Sequence, residues 1–280
     1  ETFHATIDVY YDIDESSTPD APLTGTGARK VISLNGTWSF GGKGEEDASA
    51  VDYNDASWPK VTVPHDWNAT TGYHGNSRLN GTYWYRRSLT LTQAEADEYN
   101  KRSAFLEFDS VGMEAHVYLN GTEVGSHKGG WSAFKIDVTG RLRAGDNIIA
   151  VSANNERVLN GDIAPLHGDF DNASGINREV RLVMTSQVHL DELDHGSNGV
   201  YIIPKRASDW TDANRRWEVD VTALIRNDTQ KSRDVTVTAE VRHPTSFDDV
   251  LGLGAKGLLR FDPADMYDRS GSVIGTQTTT

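Results

Sequence analysis

The chain has no cysteine among its 280 residues. A disulfide framework, a thiolate nucleophile and a cysteine-based zinc site are therefore excluded, while the redox compartment stays open. Basic residues are also scarce: 27 Lys and Arg face 41 Asp and Glu, giving a net charge of -14. No Lys/Arg cluster rewards nucleic acid or an anionic membrane surface, so neither is expected as a partner. No apolar run has the length of a membrane-spanning helix. No N-terminal segment follows the basic, apolar, small-residue order of a signal peptide, and the first residue is Glu. A signal already removed and a chain that simply starts here are both compatible with this, as are a bacterial cytoplasmic and a secreted location. Asp12, Asp14 and Asp20 lack the central glycine and terminal glutamate of an EF-hand loop, so no calcium site is assigned to them.

What the sequence does contain is alternation. Trp217, Val219, Val221, Ala223 and Ile225 alternate with mostly polar neighbours, as do Val235, Val237, Ala239 and Val241. That is the period of two of half-buried strands, and the two runs are expected to be hairpin neighbours. Ala115, Val117 and Leu119 run into Asn120-Gly121, the dipeptide that suits a type I′ hairpin turn because both central residues take positive φ. Asn35-Gly36, Asn80-Gly81 and Asn160-Gly161 read as further turns. One short helix is predicted: Thr92 and Glu95 form a capping box, and Ala94 to Lys101 can continue it. Many short strands and one helix specify an all-β fold of sandwiches. Glycine and tryptophan are dense up to residue 186, and Thr, Val and Arg dominate from 187 on. The expected domains are therefore 1–186 and 187–280.

An ordered series of motifs carries a resemblance. Val63-Pro-His-Asp-Trp67, Tyr83-Trp-Tyr-Arg86, Leu106-Glu-Phe-Asp-Ser-Val111, Val117-Tyr-Leu-Asn-Gly121 and Gly129-Gly-Trp-Ser-Ala-Phe134 precede Asp169-x-x-x-x-Ser174-Gly-Ile-x-Arg178. In order and spacing this resembles the N-terminal region of glycoside hydrolase family 2, and is most similar to its β-galactosidases. The resemblance covers about residues 30 to 203. It implies a jelly-roll sugar-binding sandwich followed by an immunoglobulin-like β-sandwich.

The resemblance also gives Asp169 a role. In family β-galactosidases the matching aspartate reaches into a catalytic pocket built by another domain and holds the terminal sugar, directly or through a bound monovalent or divalent cation. A carboxylate suits both tasks, because it accepts strong hydrogen bonds from hydroxyls and ligates hard cations. The competing reading is that Asp169 and Asp171 merely cap their loop through local backbone bonds. Asp171 and Asn172 are weaker candidates for the same sugar contact and read first as turn formers. Asn177 stands where the family usually has an aromatic residue.

The catalytic machinery is expected elsewhere. Retaining glycosidases use two carboxyl groups about 5 Å apart, and in the family both sit on a TIM barrel, the acid within an Asn-Glu pair. The one such pair here, Asn155-Glu156, follows a jelly-roll strand and reads as a chance occurrence. A barrel takes about 250 residues by itself, and no strand-helix alternation of that length is present. Residues 187–280 offer about three strands fewer than the roughly seven of an immunoglobulin-like domain. The expectation is a truncated chain, or one piece of a cleaved enzyme whose catalytic remainder stays bound.

Other candidates are weighed against plainer roles. His65 and His74 match no common metal-ligand spacing. Trp58, Trp67, Trp84 and Trp131 are expected mainly in the core, with sugar stacking as the alternative. Glu45-Glu-Asp47 reads as a solvated loop. Asn35, Asn68, Asn80, Asn120, Asn172 and Asn227 form Asn-x-Ser/Thr sequons, which fix no compartment. The combined expectation is the non-catalytic part of a β-galactosidase-like enzyme, with a β-galactoside or related carbohydrate, the catalytic remainder and a second copy of the chain as partners. The alternative is a free-standing carbohydrate-binding module.

Overall fold

The structure is a computed structural model and describes residues 6–13, 29–45, 48–69, 79–156, 174–209, 211, 217–242 and 273–279. Their regular structure is strand apart from one short helix, as expected. They group into two compact units, a larger one of Leu23–Asn198 with Arg226–Asp228 and a smaller one of Glu1–Pro22, Gly199–Ile225 and Thr229–Thr280.

In the chain's order, the larger unit contains β2 (Lys30–Ser33), β3 (Gly36–Gly41), β4 (Lys60–Val63), β5 (Thr82–Leu91), α1 (Gln93–Tyr99), β6 (Ser103–Phe108), β7 (Glu114–Leu119), β8 (Thr122–Lys128), β9 (Phe134–Asp137), β10 (Gly145–Asn154), β11 (Val180–Thr185) and β12 (Val188–Leu190). Two antiparallel sheets form from them, β4-β3-β5-β10-β7-β8 and β2-β11-β6-β9. They make a sandwich because alternate residues of both sheets meet in one core. Trp38, Tyr85, Val117, Ile149 and Val151 come from the first sheet, and Leu106, Phe108, Ile136 and Leu182 from the second. Phe108 is fully buried, so Phe108→Ala would cost about 3–5 kcal/mol in lost transfer energy and cavity.

Local chemistry explains the connections. Asn120 and Gly121 have φ of 54° and 82°, the type I′ signature, and join β7 to β8. At Asn35-Gly36 only the glycine has positive φ, and the Asn35 side chain accepts the Val180 N–H at 2.9 Å, pinning the start of β11. Thr92 and Glu95 cap α1 reciprocally, as the sequence specified. The helix ends two residues before the Ala94–Lys101 reading, with Asn100 as its C-cap.

The smaller unit contains β1 (Thr6–Ile13), β13 (Val200–Arg206), β14 (Trp217–Ala223), β16 (Val235–Arg242) and β17 (Val273–Thr279). The expected hairpin between the two long alternating runs does not form. β14 pairs with β13, while β16 lies between β1 and β17. Alternation gives a strand its faces but not its neighbour, and β16 finds a partner more than 200 residues upstream, with Thr6 opposite Arg242 and Ile13 opposite Val235. The grouping thus differs from a division at 186/187 in giving β1 to the second unit and residues up to Asn198 to the first.

Candidate functional site

Asp169, Asp171 and Asn172 lie outside the described residues, as does His74. The structure describes the platform that this segment leaves after Glu156 and rejoins at Ser174. It is built from residues far apart in sequence. β10 delivers Asn155, which is buried, to a position under Leu79 and Gly81. Its Oδ1 accepts the Gly81 N–H at 3.0 Å, and its Nδ2 donates to the Leu79 carbonyl and to Ser174 Oγ, both at 3.0 Å. Asn68 mirrors it: Oδ1 accepts the Leu79 N–H, and Nδ2 donates to Leu79 O and Ser174 Oγ, each at 2.9 Å. Asp66 Oδ1 accepts the backbone N–H groups of Asn68 at 2.9 Å and Ser174 at 3.2 Å. Both buried amides thus use donor and acceptor, the condition under which hydrogen bonds offset the desolvation of a buried polar network and hold its geometry.

Gly175 seats this clamp on the core. Its φ is 72°, and a Cβ there would lie 2.1 Å from Tyr85 Oη and 2.8 Å from the Trp67 ring. Conformation and contact both require glycine. Gly175 and Gly112 exchange backbone hydrogen bonds at 3.0 and 3.2 Å, and the Ile176 carbonyl accepts the His65 N–H at 2.7 Å. His65 Nδ1 lies 2.8 Å from Tyr85 Oη. Burial pushes the Tyr85 hydroxyl well above the usual tyrosine range and the His65 imidazole below its usual value. The ring of His65 meets Phe40 edge-on at 5.0 Å. It anchors an aromatic cluster, and among the described residues no group of three or more His, Asp and Glu is placed to hold a metal ion.

The other candidates separate clearly. Trp67 and Trp84 are buried, and Trp58 packs half-buried beside Tyr53. Trp131 departs from the core reading: it is 49% exposed on the turn between β8 and β9. That turn is held beside the Gly112 segment by Gly129 N–H to Met113 O at 2.9 Å and Ser110 Oγ to Gly130 O at 2.5 Å. Asn155, read from sequence as a chance neighbour of Glu156, is a member of the clamp, and Asn68, read as a sequon, is its counterpart. No spacing rule links positions as distant as Asp66 and Ser174, 108 residues apart. The Asn177 side chain is buried at its amide atoms without a hydrogen-bond partner. The departure at that position thus puts a polar group where an aromatic ring would need none.

The comparisons with known proteins agree with this architecture. The family model described as glycosyl hydrolases family 2, sugar binding domain, matches residues 31–186. A β-glucuronidase of Bacteroides fragilis is 32% identical over 182 residues, covering 64% of this chain and 24% of the relative. A β-galactosidase of Thermoanaerobacter pseudethanolicus is 28% identical over 171 residues, covering 59% and 22%. The crystal structure of a Bacteroides uniformis β-glucuronidase superposes with a TM-score of 0.59 at 26% identity, covering 78% of this chain and 31% of the other. The chain spans about a quarter of the length of the curated relatives it matches.

Proposed function

The chain belongs to glycosyl hydrolase family 2 through its sugar-binding domain, and from that premise we propose that it is the non-catalytic N-terminal part of a retaining β-glycosidase. In this reading the segment between Glu156 and Ser174 presents Asp169 to the terminal sugar held in a catalytic domain outside these 280 residues. The observation that carries it is the clamp. Two buried asparagines and Ser174 hold both ends of that segment on one rigid platform, as positioning a substrate contact requires.

Asp169 accepts hydrogen bonds from sugar hydroxyls, directly or through a cation. Asp171 and Asn172 shape the same loop. The preferred substrate is a terminal β-galactoside. The competing one is a β-glucuronide, because relatives of both names match at similar identity. The chemistry itself, a carboxylic acid and a carboxylate nucleophile, belongs to the catalytic domain.

The test uses the complete polypeptide that contains this chain, as wild type and Asp169→Ala, with an aryl β-galactoside and an aryl β-glucuronide. Loss of a charged contact that strengthens at the transition state lowers kcat/KM by about a hundredfold or more on the true substrate. Unchanged kcat/KM on both would end the proposal. Measurable galactose affinity of the 280-residue chain alone, lost on Trp131→Ala, would favour the binding module instead.

A further inference from the structure

The fold uses its buried tryptophans fully. Trp38, Trp67 and Trp84 donate their indole N–H groups to the carbonyls of Leu34, Leu79 and Glu45 at 2.8, 3.2 and 2.8 Å. Trp131 differs: its ring is 49% exposed and makes no hydrogen bond, ring stack or cation contact among the described residues. A single exposed apolar side chain is ordinary on a protein surface. What sets Trp131 apart is the turn that carries it.

That turn is fixed on both sides of the ring. His127, near the end of β8, stacks on Phe134 at the start of β9 with ring centroids 4.3 Å apart, and its Nε2 lies 2.9 Å from Ser132 Oγ. Gly129 donates its N–H to the Met113 carbonyl at 2.9 Å, and the Gly130 carbonyl accepts the Ser110 hydroxyl at 2.5 Å. A Cβ on Gly130 would lie 2.7 Å from Met113 Sδ and 3.4 Å from Gly112 Cα, so the turn comes as close to the Gly112–Met113 backbone as a glycine allows. The same two residues meet both roots of the 157–173 segment. Gly112 exchanges backbone hydrogen bonds with Gly175, next to Ser174, and Met113 donates its N–H at 2.8 Å to the carbonyl of Asn154, next to Asn155. One short strut therefore ties the Trp131 turn to the clamp.

We infer that Trp131 is a substrate contact: its exposed face stacks on the ring of the leaving group, the aryl or glycosyl unit beyond the terminal sugar. The inference rests on the reading of this chain as the sugar-contacting part of a β-glycosidase. A pyranose ring presents an apolar C–H face and an aryl ring a π-face, and an indole packs against either. The hydroxyls of the terminal sugar call for polar partners, the part given to Asp169. An apolar plate carried on the same frame suits the ring that follows. A plate held in place before binding also serves better than a mobile one, since little entropy is lost in ordering it.

The complete polypeptide that contains this chain is assayed as wild type, Trp131→Ala, Trp131→Tyr and Asp169→Ala. The substrates are the nitrophenyl, disaccharide and methyl β-glycosides of whichever sugar, galactose or glucuronate, the wild type cleaves. Each substrate is its own reference, so intrinsic leaving-group ability cancels. Trp131→Ala is expected to lower kcat/KM on the nitrophenyl glycoside and the disaccharide by about three- to tenfold, through KM, and on the methyl glycoside by less than about twofold. Trp131→Tyr, which keeps an aromatic face, retains most of the wild-type value on all of them. Equal losses on every substrate, the mark of a ring that packs against the catalytic domain instead, would overturn the inference. So would the absence of any loss: beside a crippled Asp169→Ala, that result ends the stacking role and leaves the proposed function standing. Failure of the wild type to cleave any of these glycosides ends both.

Discussion

The clamp beneath Ser174 and the Arg86–Arg87 stretch of β5 both bring polar side chains into one sandwich, yet they are finished differently. In the clamp the amides of Asn68 and Asn155 find partners on both their oxygen and nitrogen atoms, all within the unit. On β5, by contrast, Arg86 donates to the Ala48 carbonyl while its buried Nε has no hydrogen-bond partner and lies 3.8 Å from Asp55, and the half-buried Arg87 donates to the carbonyls of Leu34 and Asn35. A fully satisfied network holds its geometry, whereas a buried donor without a hydrogen-bond partner costs stability. The same sandwich therefore carries one polar group that is fully paired and one that is not.

The sharpest way to break the clamp is Gly175→Val. A side chain in a left-handed conformation, driven into Tyr85 and Trp67, should cost about 4 kcal/mol or more in chemical denaturation. Next comes a paired test of the comparison itself. Asn155→Leu orphans Gly81 N–H and strips donors from Leu79 O and Ser174, for a loss of about 2–4 kcal/mol. Arg87→Met, on β5, should stay within about 1 kcal/mol, because Arg87 is half-buried and the Leu34 carbonyl keeps its second donor, Trp38 Nε1 at 2.8 Å. Equal costs for the two substitutions would erase the distinction drawn above.

The smallest effect is a pH dependence. Burial lowers the pKa of His65 from its unfolded value of 6.5. As pH falls below about 6.5 the unfolded chain takes up a proton that the folded chain resists, so stability drops with acidification until His65 protonates in the fold as well. The unfolding midpoint followed from pH 7.5 to 5.5 should decline, and His65→Gln should flatten part of that slope. His127, also pushed down by burial, contributes in the same direction. A slope unchanged in His65→Gln would remove this histidine from the account.

Much of the architecture could be read from the sequence where it is set by neighbours along the chain. The I′ turn at Asn120-Gly121 and the capping box at Thr92 and Glu95 each involve four or fewer consecutive residues, and both are as expected. The core reading of Trp67 and Trp84 rests on the large area each ring buries, and both are buried. Strand partnership was not legible: the runs beginning at Trp217 and Val235 have equally good alternating faces, and nothing local told them to pair with β13 and β1 rather than each other. The clamp failed to show for the same reason. Asn68, Asn155 and Ser174 are unremarkable in their own neighbourhoods and meet only when the strands lie side by side. Trp131 shows the opposite limit. Its motif resembles that of a core strand, but the ring stands on a turn, where burial depends on what packs above it.

The hydrogen bond between Asn155 and Ser174 has a consequence for how such a chain can change over time. It joins the two points where the 157–173 segment meets the sandwich, so the scaffold fixes the end-to-end distance of whatever sequence lies between. For a flexible insert, doubling the length then costs only about 0.6 kcal/mol of closure entropy. The segment is in effect an exchangeable cassette. Its length and side chains can be rewritten, by selection or by grafting, while the two asparagines and the glycine beneath keep the frame unaltered.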